Sequence, residues 1–187
     1  MQEKSTDYVY TYVMLYLVKL HTPIYTIPMS DRYSAIPRTM SFIYHGDELL
    51  LIQASDRKEW AGMYDPIGGH IEKGEDILES ANREIYEETG LVVKDTKLKG
   101  ILHVENFYGK NIMIFITVSH SDTNVVYSND EGTLKWVKKS DIDTLPMLPD
   151  LLRIIQELYT LKPHELVFGV SKFSDTNELL SIDFHVS

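Results

Sequence analysis

Residues 68–91, GGHIEKGEDILESANREIYEETGL, crowd glutamates around a single arginine between two glycine turns. Glu84 lies three positions before Glu87 and four before Glu88. On a helix these side chains adjoin, and each like-charged pair costs about 0.2–0.5 kcal/mol. Carboxylates near a helix C-terminus also oppose its macrodipole. Arg83, four residues after Glu79 and four before Glu87, balances part of this charge, so a solvated acidic face is one reading. The glycines favour another. A glycine-punctuated loop feeding a helix can bring backbone close to a ligand, while carboxylates supply hard oxygen donors. Magnesium matches such a site, because it takes few carboxylates and completes its octahedral shell with water and substrate phosphates. The chemistry indicated is metal-assisted work on a polyphosphate, with Mg2+ the expected cofactor and Mn2+ its substitute.

The elements that must position these groups are legible around them. RTMSFIYHGDELLLIQAS reads as strand, His45-Gly46-Asp47 turn, strand. DRKEWAGMYDPIGGHIEKGE is a loop punctuated by Gly62, Pro66, Gly68, Gly69 and Gly74, long enough to suggest a functional role. The helix after it sets Ile77, Leu78, Ala81 and Ile85 on one side and Glu84, Glu87 and Glu88 on another, and Gly90 suits a left-handed cap. Downstream, KLKGILHVENFYG and NIMIFITVSH read as paired strands and TLKWV as a further strand. LPDLLRIIQELYTL reads as an amphipathic helix from about Pro149, and ELVFGVSKF with LLSIDFHV as a closing hairpin. Strands and helices alternate without a regular βαβ period, which predicts an α/β fold with a mixed sheet packed between helices.

The whole chain narrows the function classes. Its 187 residues suit one domain with an appendage. A net charge of −10, from 28 acidic and 18 basic residues, argues against a nucleic-acid polymer as partner. The absence of cysteine excludes a disulfide scaffold and thiol catalysis. The most apolar run, Tyr8 to Val18, is too short to span a bilayer and wrongly flanked for export, so no membrane partner and a cytoplasmic location are expected. Six of the twelve tyrosines fall within the first 33 residues, which sets residues 1–36 apart as an extension to a main domain over 37–187. Alternation over Tyr8–Val13 predicts a strand or hairpin there. It covers a sheet edge or pairs subunits into a homodimer, a ligand platform being the alternative.

Gly69, Glu75, Arg83, Glu84, Ile85, Glu87, Glu88, Gly90 and Leu91 fill one pattern without departure: Gly, five residues, Glu, seven residues, Arg-Glu-aliphatic, one residue, Glu-Glu, one residue, Gly-aliphatic. On this pattern the chain resembles the Nudix hydrolases. Chance would produce the match on the order of once in a million such chains or less. GDELLLIQ, WAGMYDPIGGH, SNDEGTLKWV and the closing hairpin extend the resemblance, to MutT-type members, over residues 37–187. It implies an α/β/α sandwich with a mixed sheet. It also implies Mg-dependent cleavage of a phosphoanhydride bond in a nucleoside triphosphate or related nucleoside diphosphate derivative, a small-molecule nucleotide, with house-cleaning 8-oxo-dGTP-type diphosphatases among the relatives. A dinucleoside polyphosphate hydrolase and a non-catalytic nucleotide-binding sensor are the alternatives.

Carried over by position, the resemblance gives the metal to Glu84, Glu87 and Glu88, with the Gly69 carbonyl as a further ligand. Arg83 orients a neighbouring carboxylate by charge-assisted hydrogen bonds, and Glu75 stands close by. Glu131 supplies a further ligand or base from a loop, with Asp130 as its rival. Glu88, then Glu84, then Glu131 are the candidates for the general base.

For the substrate, LPMLPDLLRIIQEL resembles the part of oxidised-purine triphosphatases where a tryptophan, a proline and two acids contact the base. Pro149 and Asp150 match, while Leu148 and Leu151 replace the tryptophan and the second acid. Asp150 is alternatively a helix N-cap. Tyr64 and Asp65 are candidates to stack on and hydrogen-bond a base, Tyr64 being alternatively a packed aromatic. Arg57, Lys58 and His70 are candidate phosphate contacts. Tyr108 stands near the position of a tyrosine in dinucleoside-polyphosphate hydrolases, or is a strand-end aromatic.

Overall fold

The computed structural model describes residues 33–128 and 130–187. Its strands are β1 (Ile36–His45), β2 (Glu48–Ala54), β3 (Tyr64–Asp65), β4 (Lys94–Phe107), β5 (Lys110–His120), β6 (Gly132–Lys138), β7 (Val167–Phe173) and β8 (Leu179–Val186). Two α-helices, α1 (Ile77–Thr89) and α2 (Pro149–Thr160), and a 3-10 turn over Lys139–Thr144 complete the described elements. The strands make one sheet in the order β3-β2-β1-β5-β4-β7-β8, with β6 also on β2. β1 runs parallel to β5 and β4 parallel to β7, while every other pair is antiparallel. The mixed sheet and both predicted hairpins therefore form. The β1–β2 hairpin turns at Gly46, where φ is 62°.

Alternation along the central strands explains the layers. Phe42, Leu49 and Leu51 face α2 and pack with Leu102, Leu151, Ile154 and Ile155. Their neighbours Ile43, Leu50 and Ile52 face the other way, onto Ile67, Ile85 and Leu91. The two helices thus cover opposite faces of the sheet, an α/β/α sandwich.

Helix α1 starts with a reciprocal cap that the sequence reading passed over. Asp76 Oδ1 accepts the amides of Leu78 and Glu79 at 2.8 and 2.9 Å, and Glu79 Oε2 accepts the Asp76 amide at 2.9 Å. It ends as expected at Gly90, with φ 74° and its amide donating to the Tyr86 carbonyl at 2.8 Å. The apolar side is shifted from the one expected: Leu78 is 39% exposed, while Ser80, Ala81, Ile85 and Thr89 are buried. Thr89 is tolerated because its hydroxyl bonds the Ile85 carbonyl and accepts the Leu91 amide at 3.0 Å.

The strand or hairpin expected within residues 1–36 lies, up to residue 32, outside the described residues. The described compact unit begins at Ser34, and Ile36 already opens β1. Among the described residues no helix is long and apolar enough to cross a membrane.

Candidate functional site

The site is built first by the glycine pair. Residues 67–70 lie antiparallel along the first half of β1, with the Thr39 amide donating to the Gly69 carbonyl at 2.9 Å and the Ser41 amide to the Ile67 carbonyl at 2.7 Å. A Cβ on Gly68, whose φ is 156°, would overlap the Thr39 carbonyl, and one on Gly69 would overlap the Glu84 carboxylate. One glycine therefore lets the loop touch the strand and the next lets a helix carboxylate touch the loop. The Gly69 carbonyl keeps one lone pair beyond its bond to Thr39.

Arg83 organises the acids on α1. Its Nε and Nη2 donate to both oxygens of Glu75 at 2.6 and 3.0 Å, and its Nη1 donates to Glu84 at 2.9 Å and Glu87 at 3.0 Å. Nη2 also donates to the His70 carbonyl at 3.1 Å, and Ser80 Oγ donates to it at 3.3 Å, so the loop is tied to the helix. Arg83 holds the Glu75 carboxyl down to about 2. Three of the expected charges thus satisfy one guanidinium.

Glu88 is different. Burial, then the charges of Glu84 and Glu131, push its carboxyl up to about 7, against a smaller pull from the Gly68 amide and Lys58. The acids that share one field are therefore Glu84, Glu88 and Glu131. Glu87 stands on the exposed flank, 56% open and bound to Arg83. Glu131 is drawn in because β6 pairs with β2 from Gly132 onward and the Ser55 amide donates to the Glu131 carbonyl at 3.1 Å. Its carboxylate meets Lys58, while Arg57 pairs with Asp130 at 3.5 Å. These contacts clasp the loop after β2 to the loop before β6.

Among the described residues no three His, Cys, Asp or Glu side chains close on a point as a finished metal cage. The donor set nevertheless fits a divalent cation. Glu84, Glu88 and Glu131 are hard oxygen donors whose mutual repulsion a cation relieves, and Lys58 sits in their cleft as a provisional counter-charge. A magnesium-type ion needs only one or two of these carboxylates, the remainder of its shell being water and phosphate oxygen.

Next to this acidic cleft opens an apolar pocket on the α2 side of the sheet, walled by Met40, Val104, Phe107, Ile112, Leu151 and Ile154. Trp60 closes it, its ring 6.0 Å from that of Phe107. Two carboxyls stand in this wall, Asp65 and Asp150. Burial pushes Asp65 up to about 7, with Arg38 opposing and Asp150 adding to the rise. Burial raises Asp150 as well, although it accepts the Leu151 amide at 3.0 Å and the Ser171 hydroxyl at 3.4 Å. Asp150 is not the N-cap; Leu148 is, and Pro149 and Asp150 form the first turn.

Of the expected substrate residues, Asp65 of β3 and Asp150 of α2 converge here from 85 positions apart in the chain. Tyr64 does not join them: its ring is 9% exposed in the α2-side core, under the Lys135 ammonium at 5.6 Å. Arg57 points to solvent, 77% exposed in its pair with Asp130, and takes no part in either cavity. Tyr108 sits in the β4–β5 turn with φ 48° and packs edge-on to Phe107 at 4.7 Å and beside Trp60 at 6.4 Å, while Phe107 supplies the wall. The sequence reading missed Arg38 and Trp60, which line both cavities. A tryptophan in a long glycine-rich loop was the signal for the second.

The NUDIX domain profile matches residues 36–158. An uncharacterized Nudix hydrolase of Bacillus subtilis (strain 168), YvcI, is 34% identical over 140 residues, 72% of this chain and 85% of that protein. The asymmetrical bis(5′-nucleosyl)-tetraphosphatase of Rattus norvegicus is 28% identical over 117 residues, 59% of this chain and 77% of its own. The crystal structure of the MutT protein of Bacillus halodurans superimposes with a TM-score of 0.70 at 31% identity, over 80% of this chain and 97% of that one.

Proposed function

Since this chain belongs to the NUDIX family and is a Nudix hydrolase, a pyrophosphohydrolase acting on acid anhydrides, we propose that its substrate is a purine nucleoside triphosphate held across the two cavities. The observation that carries this is their continuity: Arg38, Trp60, Asp65, Pro66 and Gly68 line both the acidic cleft and the apolar pocket. Phosphates belong in the first, where Glu88, Glu131 and Lys58 lie, and a base in the second. Two neighbouring carboxyls favour a base edge with adjacent N–H donors, as in guanine, whose oxidation at C8 adds one more. Trp60 and Asp65 take the roles for which Leu148 and Leu151 lack the chemistry.

Divalent-cation dependence is general in the family. A divalent cation held by Glu84 and Glu88, with Glu131 or the Gly69 carbonyl completing the protein's share, supplies neutralisation of phosphate charge and a more acidic bound water. Arg83 keeps Glu84 turned toward the Gly69 backbone and Glu87 away from it. Glu88 accepts the proton of the attacking water. Trp60 and Phe107 shield the reacting phosphates from bulk water on the pocket side. Cleavage of the anhydride leaves a nucleoside monophosphate and pyrophosphate.

The test is a panel of nucleoside triphosphates with normal and C8-oxidised guanine, dinucleoside polyphosphates and nucleotide sugars, each with Mg2+, read by phosphate and pyrophosphate release. Guanine-type triphosphates are expected to be cleaved to monophosphate and pyrophosphate, with the preference reduced in Asp65→Asn and Asp150→Asn. Preferred cleavage of dinucleoside polyphosphates supports a second reading, which the rat relative's name and the place of Tyr108 beside Trp60 favour. Binding without release from any member overturns the hydrolase reading in favour of a sensor.

A further inference from the structure

Arg38 stands where the two cavities meet, and it is not part of the nine-position pattern. Strand alternation sends its side chain to the α2 side with Met40 and Phe42. Among the described residues its guanidinium has no ion pair and no hydrogen bond, although the chain carries a net charge of −10. A part-buried cation without a partner is disfavoured, since burial removes water that nothing replaces. Asp65 feels the charge but lies beyond ion-pair distance. His70 does not cancel the charge either: burial, then Arg38, hold its imidazole below the usual histidine range.

The neighbouring Thr39 hydroxyl is also buried with no hydrogen-bond partner among the described residues, but alternation turns it to the opposite face of β1 and away from the guanidinium. A guanidinium without such a partner, standing at the boundary between an acidic cleft and an apolar pocket, matches the oxygens of a phosphoryl group, to which it offers two parallel N–H donors. We propose that Arg38 receives the phosphoryl group that joins the nucleoside to the rest of the substrate. This rests on the nucleotide reading above and deepens it. Arg38 fixes which phosphoryl group remains at the pocket mouth, and so directs the cut to the anhydride beyond it, between the first and second phosphorus atoms.

The experiment compares guanosine and adenosine with their 5′-monophosphates on the full chain, by calorimetry in excess chelator so that no cation bridges the phosphate. The wild-type chain is expected to bind each monophosphate at least about tenfold more tightly than its nucleoside, the range of a charge-assisted bidentate contact. Arg38→Gln should lose most of that increment and Arg38→Lys part of it, while the affinity for the nucleosides stays unchanged in both, which also shows that the pocket is folded. An increment that survives in Arg38→Gln overturns the inference, as does an equal loss for nucleoside and monophosphate or the lack of any increment in the wild type. If the wild type still hydrolyses a nucleoside triphosphate in the panel above, only this inference falls. If it neither hydrolyses nor binds, the nucleotide reading falls too.

Discussion

Replacing Glu88 by glutamine is expected to make the metal-free protein more stable and the enzyme nearly inactive. Burial beside Glu84 and Glu131 lifts the Glu88 carboxyl from its ordinary 4.5 to about 7. Each unit is worth about 1.4 kcal/mol, so the charged form costs the fold about 3 kcal/mol at most. An acid raised in the folded state binds its proton there more tightly than in the unfolded chain. Stability is therefore full below pH 4.5, declines as pH rises from 4.5 to 7, and above 7 carries the whole penalty. Glutamine bears none of it and keeps a carbonyl oxygen for the Gly68 amide. Urea unfolding in excess chelator should give wild type and Glu88→Gln nearly equal stability at pH 4.5. By pH 8 the variant should gain up to about 3 kcal/mol, or about 6–12 °C in Tm for a chain of this size. With Mg2+ and a substrate from the panel, turnover should fall at least about a hundredfold. Parallel stability–pH curves would refute the buried, repelled carboxyl, and near-normal turnover its role in the reaction.

Gly69→Ala places a methyl on the Glu84 carboxylate, so calorimetric Mn2+ affinity in the presence of nucleotide should drop at least about tenfold; unchanged affinity would remove Glu84 from the metal set. Lys58→Met takes a competing cation out of the acidic cleft, and Mn2+ uptake by the nucleotide-free chain should tighten a few-fold, weaker uptake counting against Lys58 as a provisional counter-charge.

The helix, its glycine stop and the acidic pattern were legible because they are local: periods of 3.6 and 2 and a left-handed cap are written within a few residues of one another. Leu78 misled for the same reason, since periodicity sets a side's direction but not which edge of it meets the sheet. Asp65, Asp150 and Trp60 become one pocket only through long-range register. The parallel pairing of β1 with β5 and of β4 with β7 brings α2 over the same end of the sheet, and nothing near residue 60 or 150 announces it. The second acid, missing at Leu151 beside Asp150, has its counterpart in Asp65 on β3, far upstream. Arg38 was silent because a lone arginine in a strand has no pattern; that it lacks an ion pair among the described residues is visible only in three dimensions. Lys58 and Arg57 are neighbours in sequence with opposite fates, decided by which of them the loop before β6 turns into the cleft.

Because α1 and α2 sit on opposite faces of one sheet, the site proposed above assigns bond breaking and molecular selection to different halves of the domain, which meet around the strand end at Arg38. Drift in α2 or in the walls of its cavity can then change the accepted guest while the hydrolytic half stays intact, so a lineage built on this scaffold can diversify its diet without reinventing how it splits an anhydride.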